Sequence, residues 1–209
     1  LLKYWYQNQQ LKTELENKNK SSELALLRSQ LNPHFLFNTL NNIDSLIMTN
    51  PEKASDAVIK LSDILRFMIY DINDVITLDS ELNYLKSYIA LQKLRYKNTE
   101  FVRFSVQGNC SSKKIAPMLL IPIVENAFKH GLKNVPMPGV DIRMDCSENS
   151  IKFEVINHFD DKLEINKDKT PGIGLANTKR RLELLYPNKH EFLIVKKDGL
   201  YTTSLEIFN

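Results

Sequence analysis

The sequence predicts an α+β fold in two parts. A helical hairpin dimerises as a four-helix bundle, and an α/β sandwich follows it. Three observations carry this. From Leu1 to Met48 the pattern is helical and almost free of glycine and proline, with Leu24, Leu27, Leu31 and Phe35 at the spacing of a buried helical stripe. A second apolar helix follows one short turn later. From Phe101 the character changes to alternating runs, two more helices and a closing hairpin.

Taking the elements in order, Leu11 and Leu15 in "NQQLKTELENKNKSSE" suggest a thin, polar coiled-coil lead-in. "MTNPEKASD" is a turn that opens a helix, with Pro51 near its first position and acids behind it. That helix carries Ala54, Ala57, Val58, Leu61, Leu65 and Met68 on one side. Two long helices joined this way form a hairpin with too little partner surface of its own, so a second copy is expected to complete a bundle. "ITLDSELNYLKSYIALQKLRYKN" is a third helix, opened by Asp79 or Ser80 as its cap.

Beyond Asn98, "FVRFSV" alternates like a strand and "PMLLIPIVENAFKHGL" reads as a buried helix. "VDIRMDC" and "IKFEVIN" are strands, and "HFDDKLEINKDKTPGIG" is polar and irregular. "LANTKRRLELLY" is amphipathic, and "EFLIVKK" with "YTTSLEIF" forms a hairpin around Asp198 and Gly199. The expected divisions are residues 1–22 as a juxtamembrane lead-in, 23–98 as dimerisation helices, and 99–209 as the sandwich domain.

Composition narrows the function classes. The chain has 209 residues, 43% hydrophobic and 25% charged, as in an ordinary soluble fold. A net charge of +3 with scattered positive residues gives no argument for direct nucleic-acid binding. Cys110 and Cys146 have no metal spacing and suggest no disulfide framework, which points to a reducing, cytosolic setting. The start at "LLKYWYQNQQ" reads as a fragment of something longer, and Lys3, Tyr4, Trp5 and Tyr6 resemble the cluster where a membrane helix meets water. No run of about 18 apolar residues is present to span a bilayer.

Three segments have residues suited to chemistry. In "PGIGLAN", Gly172 and Gly174 sit where a loop enters a helix, followed by Ile173, Leu175 and Asn177 in the same turn region. Glycines there let backbone N–H groups approach a phosphate, although the same residues also serve as a plain hinge. In "VENAFKHG", Glu125, Asn126, Lys129 and His130 lie within about one and a half helical turns. Asn126 offers one hard oxygen for Mg2+, and Lys129 offers charge for phosphate; an exposed Glu–Lys face is the plainer reading. Asn157 ends the strand "VIN", where an amide reads a purine edge or merely caps the loop.

Those segments, in that order, resemble the ATP-binding domain shared by histidine kinases, gyrase, heat-shock protein 90 and mismatch-repair proteins, the GHKL or Bergerat type. "VENAFKHG" looks like its N-box, "VIN" like a reduced G1 box and "PGIGLAN" like its G2 box. "LRSQLNPHFLFNTLNNI" resembles the phosphoacceptor helix of the LytS/YehU-type sensor histidine kinases, for which "NPHFLFN" is diagnostic. The third helix is also similar to that family, and the resemblance covers Arg28 to Asn209.

The resemblance implies autophosphorylation of His34 by Mg-ATP and transfer to an aspartate of a response regulator, expected to be of the LytTR type. It also implies a homodimer at the cytoplasmic face of the bacterial inner membrane, anchored through a segment N-terminal to this one. Pro33 supports that reading from its own chemistry. Proline inside a helix costs about 3 kcal/mol and cannot donate to the Ser29 carbonyl, so an opening or bend is expected beside His34. A histidine with a reference pKa near 6.5 is mostly neutral at pH 7.5, with one ring lone pair free to attack phosphorus.

Two departures from the family pattern stand out. Phe35, not an acid, follows the histidine, so the general base is unassigned and Glu125 is a weak candidate. Asn157 replaces the usual G1 aspartate and accepts a hydrogen bond without charge assistance. The rival reading is therefore an ATP-binding-deficient scaffold that dimerises and binds a regulator. Titration with nucleotide separates the two.

Overall fold

In a computed structural model, the described residues are 9, 33–70, 75–96, 98–111, 113–132, 134–160 and 173–208. The coiled-coil lead-in, the Tyr4–Trp5–Tyr6 cluster, the expected bend before Pro33, most of the polar loop after His158, and Gly172 lie outside them. The chain divides into two compact units, Leu1–Ala54 and Ser55–Asn209. Among the described residues, no helix is long and apolar enough to cross a membrane.

Helix α1 (Pro33–Thr49) buries Phe35, Thr39 and Ile43, one residue per turn. Asn50 then caps helix α2 (Pro51–Tyr70): its side-chain oxygen accepts from the Lys53 N–H at 3.1 Å, with proline in the first helical position as expected. The buried stripe of α2 is Ala54, Ala57, Leu61, Ile64, Phe67 and Met68. Val58 is 48% exposed and Leu65 only half-buried, which corrects the expected stripe. Alternate steps of three and four residues follow the 3.6-residue turn, and that path selects Ile64 over its neighbours.

Strand β1 (Ile76–Thr77) precedes helix α3 (Leu78–Lys93), and a short 3-10 turn (Thr99–Phe101) leads into β2 (Val102–Gly108). After β3 (Lys114–Ile115) come α4 (Ile121–His130), β4 (Val140–Cys146), β5 (Ser150–His158), α5 (Ile173–Leu185), β6 (His190–Lys197) and β7 (Leu200–Phe208). Five strands form one sheet in the order β2-β4-β5-β7-β6, with β2 and β4 parallel and the other neighbours antiparallel. The β6–β7 hairpin turns on Asp198 and Gly199, both at positive φ, as a two-residue turn matching strand twist requires.

One face of the sheet is the core. Ile142 and Met144 on β4, Phe153 and Val155 on β5, and Leu205 and Ile207 on β7 are buried at alternate positions. Helix α4 packs on β4 and β5, and α5 packs on α4 and β6. Helix α3 joins them through Tyr88 and Phe128, whose ring centroids lie 6.3 Å apart, and holds α2 through a Phe67–Tyr84 stack at 4.5 Å. Each fully buried aliphatic or aromatic side chain contributes about 1.5–3 kcal/mol. On the opposite face, Asp141 is 4% exposed and accepts hydrogen bonds from both Arg103 and Arg143.

The structure corrects three further expectations and adds one strand pairing. Thr77, not Asp79 or Ser80, caps α3: its hydroxyl accepts from the Ser80 N–H at 3.2 Å, and Ser80 is already helical. The pairing of β1 with β3 (Ile76 opposite Ile115) was not read, because two-residue strands carry no periodicity. Helix α4 begins at Ile121, and "PMLL" ahead of it is not helical. Cys110 and Cys146 are joined in a disulfide with Cα atoms 5.4 Å apart, so the two cysteines no longer argue for a reducing, cytosolic setting. Register explains it: β2 and β4 run side by side until Gly108 lies opposite Cys146, and the chain turns at Gly108 with φ +77. Sequence spacing alone shows none of this.

Candidate functional site

The phosphoacceptor candidate stands in the first turn of α1. His34 is exposed, directly after Pro33. Asn38, one turn on, brings its amide nitrogen to 3.2 Å from Nε2 and 3.3 Å from Nδ1 of the ring. An amide N–H within that reach of the ring can orient the imidazole. Asn38 is a residue that sequence reasoning missed, though its i, i+4 spacing from His34 was available in "HFLFN".

The second unit gathers the other candidates around α4. At the start of that helix, a Cβ added to Gly174 would lie 3.9 Å from the Cβ of Pro122, so α5 begins against the first turn of α4. At its end, a Cβ added to Gly131 would lie 3.8 Å from the Cβ of Asn157, and the Leu132 N–H donates to the His158 carbonyl at 3.1 Å. The three separate sequence segments therefore meet along one ten-residue helix.

Along that helix, Glu125 and Asn126 are half-buried, Lys129 is exposed and His130 is half-buried. Burial raises the hydroxyls of Tyr84 and Tyr88 on α3 above the usual tyrosine range, with the charge of Glu81 adding to the rise at Tyr84 and that of Glu125 adding at both. Asn157 is 2% exposed, and its amide nitrogen donates to the His158 carbonyl at 3.1 Å. The amide oxygen is thus the end left to accept from a ligand. Thr203, on the same face of β7 as Leu205, is 2% exposed and pairs with Val155, two residues before Asn157; sequence reasoning passed over it.

The glycine segment divides. Ile173 is the first described residue of α5, Leu175 is buried in the core, and Gly174 and Asn177 are exposed. Gly174 has no positive φ, and its nearest neighbour would be an ordinary van der Waals contact. The fold itself does not require glycine there, so any such requirement must come from a ligand.

A fourth feature connects these helices. Glu81, in the first turn of α3, is completely buried. Its carboxylate accepts from the N–H groups of Met118 at 2.9 Å, Leu119 at 3.0 Å and Leu120 at 3.1 Å. Burial pushes the Glu81 carboxyl up to about 7, opposed by those three hydrogen bonds and by the charge of Arg181. Arg181 on α5 donates to the carbonyls of Pro117 at 2.8 Å and Met118 at 3.2 Å, and the Ala116 N–H donates to the Tyr186 hydroxyl at 2.8 Å.

The donor set suits a magnesium nucleotide. Among the described residues, no group of three or more His, Cys, Asp or Glu side chains could hold a metal. Mg2+ does not need such a cage, because it keeps several waters and binds through one or two protein oxygens plus substrate phosphates. A single amide oxygen on α4, an ammonium one turn on and a strand-end amide match that demand.

Residues 22–100 match the family model described as histidine kinase. Sensor protein LytS of Staphylococcus saprophyticus subsp. saprophyticus is 29% identical over 180 residues, 80% of this chain and 30% of the relative. Sensor histidine kinase YpdA of Escherichia coli (strain K12) is 36% identical over 185 residues, 83% of this chain and 32% of the relative. The chain thus spans less than a third of the length of these curated relatives. Among solved structures, the catalytic domain of histidine kinase ThkA is 14% identical, with a TM-score of 0.43 over 64% of this chain and 94% of that one. Strand order and register, rather than that likeness, define the fold here. With the "PHFLFN" run opening α1 and this breadth of sequence similarity, the chain belongs to the LytS-type sensor histidine kinases.

Proposed function

We propose that the chain is the kinase core of a membrane-anchored sensor histidine kinase. In this reading His34 takes the γ-phosphoryl group of Mg-ATP and passes it to an aspartate of a response regulator of the LytTR type. What supports it most is the convergence on α4: Gly174 against Pro122 at one end and Asn157 against Gly131 at the other. Two distant segments thus lie against the helix that carries the third, and the chemistry of the three together suits a nucleotide with its cation.

Each residue has a role in this reading. Asn126 gives its amide oxygen to Mg2+, and Lys129, with His130 beside it, faces phosphate charge. Asn157 accepts from the adenine amino group. Gly172, Ile173, Gly174 and Asn177 meet the phosphates in this reading, together with the backbone of Leu175, whose side chain is in the core, and the helix N-terminus adds favourable partial charge. Bound Mg-ATP supplies the phosphoryl group. His34 offers a ring lone pair, Asn38 steadies the imidazole, and Glu125 is the candidate proton acceptor.

The proposed divisions are a lead-in over 1–22, dimerisation and phosphotransfer helices over 23–98, and the ATP-binding domain over 99–209. Phe37, Leu40 and Ile47 leave an exposed apolar line on α1, which suits pairing with a second copy. The membrane anchor belongs to a segment N-terminal to this chain, at the cytoplasmic face of the inner membrane.

Incubation with γ-labelled ATP tests the proposal. Phosphorus on imidazole nitrogen is lost in acid and survives base, so an acid-labile label is expected on the wild-type protein. His34→Ala should lose that label and keep its affinity for Mg-ATP. Label retained by His34→Ala would place the acceptor elsewhere and defeat the reading.

A further inference from the structure

Helix α4 has a weak start of its own. Leu120 stands at its cap position with no side-chain hydrogen bond, and proline occupies the first turn. The peptides leading into it are held from far along the chain: the buried carboxylate of Glu81 takes the N–H groups of Met118, Leu119 and, at the cap position, Leu120. Met118 also sits at φ +55, a conformation that side chains of its kind rarely adopt. Its N–H bonds to Glu81 and its carbonyl accepts from Arg181, so the two side chains hold this strained peptide from opposite edges.

An apolar side chain in place of Glu81 would leave those three N–H groups without their acceptor, so the carboxylate holds the start of α4 in place. What the pair adds is placement. Glu81 belongs to α3, which continues from the helical hairpin, and Arg181 lies two turns along the helix that begins beside Pro122 with Gly174. Asn126 follows on α4 less than two turns after the clamped peptides.

We propose that Glu81 and Arg181 are a positioning pair that fixes α4 against α3 and α5, and thereby sets the geometry in which Asn126 and the glycine turn meet the nucleotide. The first half stands on hydrogen bonds alone; the second rests on the nucleotide reading above. The pair touches no reacting atom; it acts by fixing the start of α4 against α3 and α5.

The test compares wild type with Glu81→Gln, Glu81→Asp and Arg181→Met at pH 8, by three measurements. These are amide hydrogen exchange of α4 without nucleotide, Mg-ATP titration, and the labelling rate at saturating Mg-ATP per folded molecule. Glu81→Gln should melt cooperatively yet exchange its α4 amides at least about tenfold faster. Its labelling rate should fall at least about tenfold, with Glu81→Asp between it and wild type. Wild-type exchange and wild-type labelling in Glu81→Gln would overturn the proposal. So would a lowered melting temperature with an unchanged labelling rate, which is the mark of a structural role only. Should Glu81→Gln fail to fold, Arg181→Met at a half-buried residue decides on the same criteria. A wild-type chain that binds no Mg-ATP would instead defeat the nucleotide reading, and the exchange measurement would still decide the clamp.

Discussion

Glu81 and Arg181 hold opposite edges of one peptide run: the carboxylate accepts its N–H groups and the guanidinium donates to its carbonyls. The titration of Glu81 should be visible in the stability of the protein. Its carboxyl is raised from 4.5 to about 7, chiefly by burial. Between those values the folded state holds a proton that the unfolded state has released, so stability falls as pH rises through this window. The contribution is fully present below pH 4.5 and lost as pH rises through about 7. Urea midpoints measured from pH 4.5 to 8 should decline less steeply in Glu81→Gln than in wild type. Identical slopes would show that Glu81 does not titrate there.

Gly174 separates fold from function. Alanine meets only ordinary contact at that position, and replacing an exposed helical glycine should stabilise the protein by about 0.5–1 kcal/mol. Mg-ATP affinity should fall nonetheless, because a methyl group would stand where phosphate approaches the backbone. A Gly174→Ala protein that is more stable and binds nucleotide normally would reduce the glycine to a helix start.

Asn126→Ala should leave the melting transition near that of wild type, since the residue is half-buried and lies on a helix that accepts alanine well. Removing the proposed magnesium oxygen should slow autophosphorylation at least about a hundredfold. Labelling at the wild-type rate would remove the assignment.

The Cys110–Cys146 disulfide closes a loop with a sequence separation of 36. On the loop-entropy model a closure of that length stabilises by about 4 kcal/mol. Thiol counting under denaturing conditions should find no free cysteine, and the urea midpoint should drop on reduction or in Cys146→Ser. Two titratable thiols in protein purified without reductant would contradict the bond.

Light scattering should report about twice the 24.2 kDa chain mass. Leu40→Glu with Ile47→Glu should shift the protein toward monomer, because both side chains are 52% exposed on α1 and neither belongs to its buried stripe. A wild-type monomer at micromolar concentration would count against the bundle in this chain.

Local spacing by itself determined a good deal of this protein. Pro51 opening a helix, Asp198-Gly199 turning a hairpin, and the alternation of "VDIRMDC" and "IKFEVIN" depend on neighbours a few residues away, and a sequence states those directly. The same is true of His34 with Asn38, four residues apart on one helix. Tertiary structure decided the rest. The Val58 and Ile64 exchange depends on which side of α2 meets its neighbours, and an apolar pattern wide enough to include both does not choose. Glu81 reads as one more acid in the first turn of α3 until Leu120, 39 residues on, is folded onto it. Cys110 and Cys146 become partners only through the parallel register of β2 and β4. Such pairings are fixed by packing the sheet and its helices together, and no periodicity in the chain records them.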